Sequence, residues 1–203
     1  MREIDPMKTK RAQSWQLYIH APMPMVTIFK TFDITNLMKL KNQGYKFNML
    51  MCFCIMQAAT KMEEFYLLPV GEKMIQYDHI GVNVIVANAQ GGINSCDLPY
   101  TNDLEEFKKV YNRRTHQVYE TCQDYEIDQH MIVGTSALVN YDIDGVVNMY
   151  SGIFNNPFMI WGKYHTKDMK TTLQVSFQFH HVQMDGLQAC EFCNILQECI
   201  HRL

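Results

Sequence analysis

Alternating hydrophobic and polar residues mark several short segments of the chain, as expected of strands that have one buried face. The clearest alternation places Leu173, Val175, Phe177 and Phe179 on one face and polar residues on the other. The pair Gly71-Glu72, between two short apolar segments, predicts a hairpin turn. Together these patterns predict strands over residues 25–32, 66–70, 73–77, 81–88, 131–139, 154–160 and 171–180.

Four other segments have the composition and spacing of helices. We expect one helix that starts near Asp33 or Thr35 and ends at Gly44, and others over residues 48–61, 102–121 and 187–200, with Asn48 as the N-cap of the second. The second helix is apolar on all sides, which predicts that it is buried. Strands and helices are mixed without regular βαβ alternation. We therefore expect an α+β fold, a two-layer sandwich of a mixed β-sheet with helices, in a single domain over residues 1–203.

Composition excludes some classes of function. Hydrophobic residues make up 47% of the chain, charged residues make up 19%, and the formal net charge is −3. A chain without a basic surface lacks the electrostatic means to hold nucleic acid or an anionic membrane. The N-terminus has no apolar signal segment, and the longest apolar run, residues 49–56, is too short to cross a bilayer. These features predict a cytoplasmic protein that binds neither nucleic acid nor membrane.

The segment most informative about function runs from His180 to Gly186, between the last predicted strand and the last predicted helix. If the alternation continues, His181 lies on the apolar face and His180 on the polar face. Burial would lower the pKa of His181 and keep its imidazole neutral, as required of a base that deprotonates a hydroxyl. The alternatives are that His181 is a core histidine bonded to a backbone carbonyl and that Asp185 only caps the last helix.

Neither the cysteines nor the adjacent histidines predict a metal site. The seven cysteines are odd in number, and they are expected to be free thiols that pack as small hydrophobic residues. No two Cys or His pairs stand at a spacing typical of zinc ligands. Neighbouring residues of a strand point to opposite faces, so His180 and His181 cannot easily share one ion.

The sequence His180-His181-Val182-Gln183-Met184-Asp185-Gly186 resembles the signature of the chloramphenicol acetyltransferase family, and a shorter version of that signature occurs in dihydrolipoamide acyltransferases. The resemblance extends over nearly the whole chain, in order and at similar spacing. The other segments that carry it are Arg11 with Trp15, Leu17 and Tyr18, then Phe32-Asp33-Ile34-Thr35, Tyr45-Lys46-Phe47, Thr135-Ser136-Ala137-Leu138, Asn140-Tyr141-Asp142 and Trp161-Gly162-Lys163-Tyr164.

The resemblance implies an enzyme that moves an acetyl group from acetyl-CoA directly to a hydroxyl of a small acceptor, in a ternary complex. His181 would be the general base, and Ser136 would donate a hydrogen bond to the tetrahedral oxyanion. Asp185 would pair with Arg11 and support the geometry of the site. No cofactor would be bound permanently, since acetyl-CoA is a co-substrate.

The resemblance also implies a CoA tunnel and an oligomer. Tyr164 would lie against the adenine, and Lys46 or Lys163 would lie near phosphate. The family is trimeric, with active sites at the subunit interfaces, so a homotrimer is expected here. The acceptor pocket would include Leu17 and Tyr18, with Tyr18 contributing across the interface.

Several positions of the acceptor pocket depart from the family's pattern. Val82 and Val84 stand where chloramphenicol-binding relatives have Gln and Thr. Ile93 stands where an aromatic residue is expected, and Ile160 replaces a threonine that helps to hold a water at the oxyanion. Buried hydroxyls of the drug would lose partners in such a pocket.

Besides a chloramphenicol acetyltransferase, the chain could therefore be an acyltransferase for another acceptor or a catalytically silent trimeric binding protein. Retention of the motif histidine and of the serine favours an enzyme.

Overall fold

The computed structural model describes residues 1–203, which form five α-helices and ten strands. Two 3-10 helices cover Pro6–Lys8 and Glu63–Tyr66. The α-helices are α1 (Ala12–Tyr18), α2 (Thr35–Asn42), α3 (Phe47–Ala59), α4 (Leu104–Thr121) and α5 (Gly186–Arg202). The strands are β1 (Arg2–Ile4), β2 (Met25–Asp33), β3 (Leu67–Val70), β4 (Lys73–Gln76), β5 (His79–Ala87), β6 (Ile93–Pro99), β7 (His130–Ala137), β8 (Phe158–Trp161), β9 (His165–Lys167) and β10 (Lys170–His180).

Seven strands form one mixed sheet in the order β2-β10-β8-β7-β5-β6, and β9 pairs with the beginning of β10. The two central pairs, β8 with β7 and β7 with β5, are parallel, whereas the remaining pairs are antiparallel. A second, smaller sheet consists of β1, β4 and β3. The long strand β10 lies second from one edge of the main sheet, so its C-terminal end delivers the histidine motif beside β2.

Four helices cover one face of the main sheet. Helix α3 contacts β5 and β7, and α4 contacts β5 and β6. Helix α2 contacts β10, and α5 contacts β2. The core between the layers is a single cluster of 40 buried hydrophobic residues. Helix α3 contributes to it along its whole length, with eleven of its thirteen residues buried, because it is apolar on all sides. No helix is both long enough and apolar enough to span a membrane.

The predicted α+β sandwich of a mixed sheet with helices is confirmed. Two details differ. Helix α3 begins at Phe47 with Lys46 as its N-cap, so Asn48 lies inside the helix and does not cap it. The strand expected over residues 154–160 begins only at Phe158, because the side chains of Asn155 and Asn156 bind the carbonyls of Pro69 and Ile132 and hold that stretch outside the ladder. The alternation pattern did not reveal β1, β6, β9 or α1.

Candidate active site

The turn after β10 is built around His180. The backbone N–H groups of Gln183 and Met184 donate to the carbonyl of His180, at 2.8 and 3.3 Å. The N–H of Val182 donates to Nδ1 of the His180 ring, at 3.1 Å. Because Nδ1 accepts this bond, the neutral ring carries its proton on Nε2. His180 therefore fixes the turn that presents the next residue, His181.

The expectation that His181 is the buried histidine of the pair was wrong. His180 is 1% exposed, and burial, with a smaller effect from the neighbouring His181, lowers the pKa of His180 to about 4. The His181 side chain keeps 29% of its surface exposed. Strand β10 ends at His180, where it pairs with Met25, so the strand alternation stops before it reaches His181.

The face of β10 that carries the polar residues is also buried, which explains why burial was assigned to the wrong histidine. Residues 143–150 lie across it: the N–H of Val146 donates to Ser176 Oγ at 2.8 Å, and Gln178 Nε2 donates to the carbonyl of Asn148 at 2.9 Å. The approach is so close that a Cβ at Gly145 would lie 2.3 Å from the ring of Phe29. We call this side of the sheet, opposite the helices, the outer face.

The ring of His181 is held on two sides. Its plane stacks on Tyr18, with 4.0 Å between centroids and 21° between planes. Its Nδ1 lies 3.2 Å from Oδ1 of Asp185, although this buried atom has no partner in hydrogen-bond geometry. The exposed part of the ring therefore lies away from Nδ1, and Nε2 is the nitrogen that an acceptor hydroxyl can reach. Tyr18 was expected to act across an interface, but in the structure it contacts the histidine of its own chain.

Arg11 ties the turn to the start of α5. Its guanidinium donates to both carboxylate oxygens of Asp185, at 2.8 Å each, and to the carbonyls of His181 and Val182, at 2.9 Å each. Arg11 is 5% exposed, and its hydrogen bond to Asp185 is the main reason that the pKa of this carboxyl is lowered. Asp185 is also the N-cap residue of α5, and its N–H donates to Gln188 Oε1 at 2.8 Å. Arg11, Tyr18, His181 and Asp185 are called the histidine cluster below.

Ser136 lies in a different part of the molecule. It pairs with Ile160, which pairs with Ser176, so these three residues form a row across β7, β8 and β10. Ile160 is 8% exposed and offers no hydrogen bond beside the serine. His180, the last residue of β10, follows Ser176 by four residues and therefore lies roughly 13 Å from this row along the strand direction, and His181 follows it in the turn. A single acetyl carbonyl cannot contact Ser136 and His181 of the same chain.

The remaining acceptor-pocket candidates are scattered. Thr135 Oγ1 lies 3.8 Å from Cys52 Sγ of α3, so Thr135 faces the helices, and its register partner Val84 faces the same way. Val84 and Val82 are buried in the core cluster, so the suggestion that they line an acceptor pocket was wrong. Ile93 shares the outer face with Ser136 but is exposed at the sheet edge, and Leu17 is exposed next to Tyr18.

The CoA-site candidates Lys46, Lys163 and Tyr164 line one groove of about 540 Å³ between the α2–α3 turn and the residues after β8. The groove also contains Lys41, which the sequence did not single out, and the side chain of Tyr111. No Asp or Glu lines it, and Lys41, Lys46 and Lys163 make no ion pair within the chain. We call it the lysine groove. No local pattern could have revealed Lys41, because it enters the groove only through the turn between α2 and α3.

Comparison with known proteins identifies relatives of this chain. The chain is 25% identical to chloramphenicol acetyltransferase 3 of Escherichia coli over 203 residues, covering 97% of this chain and 95% of that protein. It is 26% identical to a chloramphenicol acetyltransferase of Clostridium perfringens over 226 residues, covering 98% of each chain. A solved chloramphenicol acetyltransferase structure superposes with a TM-score of 0.82 at 15% identity, covering 98% of this chain and 100% of that one.

A more distant fold relative is a probable dihydrolipoamide acetyltransferase of Listeria monocytogenes, with a TM-score of 0.71 at 11% identity, covering 100% of this chain and 95% of that one. The family model described as chloramphenicol acetyltransferase matches residues 2–197. The resemblance read from the histidine motif is thus confirmed, and the chain belongs to the chloramphenicol acetyltransferase family.

Proposed function

We propose that residues 1–203 form one acyltransferase domain that transfers the acetyl group of acetyl-CoA to a hydroxyl of a small acceptor. The observation that carries this proposal is the histidine cluster, in which His181 is fixed by Tyr18, Asp185 and Arg11 while its Nε2 stays accessible. An oriented base and a groove for an anionic donor are the two parts that direct acyl transfer requires, and the interface between chains inferred below would bring them together. The donor implies a cytoplasmic protein.

In the proposed reaction, Nε2 of His181 takes the proton of the acceptor hydroxyl while the hydroxyl oxygen attacks the acetyl carbonyl. The tetrahedral intermediate then collapses, the carbon–sulfur bond breaks, and the leaving thiolate takes the proton from the imidazolium. Products are the acetyl ester and CoA. The carboxylate of Asp185, 3.2 Å from Nδ1, would stabilise the transient positive charge. Ser136 would donate to the oxyanion, a contact worth about 3 kcal/mol in comparable sites.

We infer that one active site combines two chains, in a homotrimer. Within a chain, Ser136 and His181 are too far apart to act on the same carbonyl, so His181 of one chain would meet Ser136 of its neighbour. Exposed hydrophobic side chains on the outer face and on the segment that covers it support an interface there, because such patches are unusual on a free surface. These residues are Phe29, Ile85, Ile93, Val147, Met149, Ile153 and Phe154.

We propose chloramphenicol as the first acceptor to test, because the relatives described above are named for it. Ile160 beside Ser136 leaves the proposed oxyanion site without the hydroxyl that relatives have there, so turnover slower than that of those enzymes is expected. An acceptor with fewer hydroxyls to satisfy would suit this pocket equally well.

The direct test is to incubate the protein with acetyl-CoA and chloramphenicol and to follow CoA release with a thiol reagent. We expect release that depends on the acceptor and that falls about 10²- to 10⁴-fold in His181→Ala, the range that a positioned general base contributes. Release with another hydroxyl compound but not with the drug would replace the acceptor and keep the reaction. No release across a broad panel of hydroxyl compounds, with CoA still raising the melting temperature, would instead identify a silent binding protein.

The shared site is tested by complementation. His181→Ala and Ser136→Ala chains, carrying different tags, are co-expressed and purified on both tags. In every homotrimer that carries both tags, about one of the three sites would combine an intact histidine from one chain with an intact serine from its neighbour. The mixture should therefore be far more active than either parent variant. Activity no higher than the average of the two parents would show that each chain completes its own site.

A further inference from the structure

The small sheet of β1, β4 and β3 is connected from both of its edges to the turn that carries His181. Strands β1 and β3 are the edge strands, because each pairs with β4 in the middle. Beyond β1 the chain passes through a 3-10 helix to Arg11, whose guanidinium donates to the carbonyls of His181 and Val182. Gln183 makes the second connection, to β3.

Gln183 is fully buried, and its side-chain Nε2 donates to the carbonyl of Leu67 at 2.8 Å. This carbonyl is free of the hairpin ladder: the N–H of Tyr77 donates to the carbonyl of Tyr66, and the next carbonyl along β3, that of Leu67, points the other way. The backbone N–H of Gln183 donates to the carbonyl of His180 at 2.8 Å. One residue therefore links the end of β10, the turn and the edge of the small sheet.

The other end of the same amide is unpaired. Oε1 of Gln183 is buried and accepts no hydrogen bond from the rest of the chain. An unpaired buried acceptor lowers stability, so an apolar side chain of similar length would fill this space at least as favourably. Stability alone therefore does not explain a glutamine at this position, whereas the bond from its Nε2 to Leu67 does.

This bond matters because the small sheet and the start of α5 do not pack closely against each other. A groove of about 890 Å³ lies between them, lined by residues of β1, by Leu67 and by Leu187 and Gln188 of α5. Hydrogen bonds from Arg11 and Gln183 bridge the two parts. One connection fixes the position of a turn but lets it pivot, and a second fixes its orientation. A pivot would swing the ring that projects from the turn, and Nε2, at the far end of that ring, would move most.

Resting on the proposed function, we propose that Gln183 is a positioning residue for acetyl transfer. Its bond to Leu67 holds the turn in the orientation from which Nε2 of His181 reaches the acceptor hydroxyl. Gln183 is fully buried, so it acts through the backbone of the turn and not by touching a substrate. Its loss leaves substrate binding unchanged and lowers the fraction of bound complexes in which the base is aligned, which reduces kcat without raising KM.

The test replaces Gln183 by methionine, which has a similar length and no hydrogen-bond donor, and measures kcat and KM together with urea unfolding. For acceptor-dependent CoA release, kcat should fall about tenfold, with KM for both substrates within about twofold of the wild-type value. The urea midpoint should stay near that of the wild type, because the lost bond and the removed unpaired oxygen offset each other. Gln183→Asn, whose amide is one methylene too short to reach Leu67, should lose kcat in the same way.

Gln197→Met is the matched control, because it makes the same substitution about 18 Å farther along α5 from Asp185. Nε2 of Gln197 donates to the carbonyl of Asp33 at 2.8 Å, and its Oε1 accepts from the N–H of Asp33 at 2.9 Å. Both ends of this amide are paired, so the substitution should lower the urea midpoint and leave kcat unchanged. The two glutamines should thus show opposite patterns.

A kcat within about twofold of the wild-type value in either Gln183 variant would overturn the inference. So would losses of kcat that simply follow the urea midpoint in all three variants, or failure of both Gln183 variants to fold, because the residue would then be structural. These outcomes leave the proposed acetyl transfer intact. A wild-type protein that releases no CoA with any acceptor would instead remove the proposed function itself.

Discussion

The histidine cluster and the lysine groove use charged residues in opposite ways. In the cluster, Arg11 is 5% exposed and its guanidinium makes four hydrogen bonds, two of them to the carboxylate of Asp185. In the groove, Lys41, Lys46 and Lys163 are exposed and lack carboxylate partners. The cluster fixes the position of one ring to within a narrow range, whereas the groove provides a positive region that can accept a flexible ligand.

This difference separates two physical requirements of a ternary-complex enzyme. A base must be held in place before the substrates arrive, and buried, fully bonded ions achieve this at the cost of desolvation. A donor with several phosphates must enter and leave in every turnover, and exposed lysines attract it without holding it rigidly. Substitutions and conditions that affect one region should therefore leave the other largely unchanged.

The largest effect is expected from Arg11→Ala. This substitution leaves Asp185, whose side chain is 42% exposed, and the carbonyls of His181 and Val182 without their donor, and the loss of such charge-assisted hydrogen bonds costs about 2 kcal/mol. Chemical denaturation should show this loss of stability. The value of kcat should fall about 100-fold, the scale expected when a positioned group is displaced, while the KM for acetyl-CoA stays nearly constant.

Arg11→Lys serves as the matched variant, because it keeps the charge but not the planar fork that binds both carboxylate oxygens. It should recover part of the stability and less of the kcat. If Arg11→Ala instead raises the KM for acetyl-CoA and leaves kcat intact, the two regions are coupled and the contrast between them is wrong.

The pH dependence of stability, which we attribute to His180, is a further test of this contrast. Its pKa is 6.5 in the unfolded reference and about 4 in the folded chain, where burial disfavours the charged ring. Between these values the unfolded chain binds a proton that the folded chain does not, so stability falls as the pH drops from 7 towards 4. The difference between the two pKa values corresponds to about 3 kcal/mol in the free energy of unfolding. Asp185, whose pKa is lowered from 3.8, loses its contribution only at still lower pH.

Urea unfolding at a series of pH values between 7 and 4.5 measures this dependence. His180→Gln, which keeps a polar side chain but cannot titrate, should flatten the curve over that range. An unchanged slope in His180→Gln would mean that another group causes the loss, and that His180 is not the buried neutral member of the pair.

The fold was largely predictable from the sequence because its elements have strong local signals. The alternation of Leu173, Val175, Phe177 and Phe179 predicted β10, and the uniformly apolar sequence of α3 predicted its burial. Elements without such a signal were missed: α1 has no buried residue, and β9 has only exposed residues. Short exposed elements are specified by their neighbours, and no periodicity marks them.

The site was predictable only in part, for the same reason. The motif placed His181 beside the end of β10, but strand alternation assigned burial to the wrong histidine. Burial of His180 depends on residues 143–150, which cross the outer face from a distant part of the chain. Lys41 depends in the same way on the α2–α3 turn that brings it to Tyr164. Side chains whose environment comes from remote segments cannot be placed from local pattern alone.

The smallest effect is expected from salt, and it acts on the groove. Raising the ionic strength from about 0.05 M to about 0.5 M shortens the screening length to a few ångström, which weakens exposed charges far more than buried pairs. The KM for acetyl-CoA should therefore rise a few-fold in KCl, while kcat, which depends on the partly buried Arg11–Asp185 pair, changes little. S-acetylpantetheine, a donor without phosphates, is the matched control and should show no comparable rise.

Lys41→Ala should reduce the salt dependence with acetyl-CoA, because one of the three exposed charges is gone. A salt effect of equal size on both donors would mean that the groove does not act through charge, and the contrast between a field at the groove and a fixed geometry at the cluster would then fail.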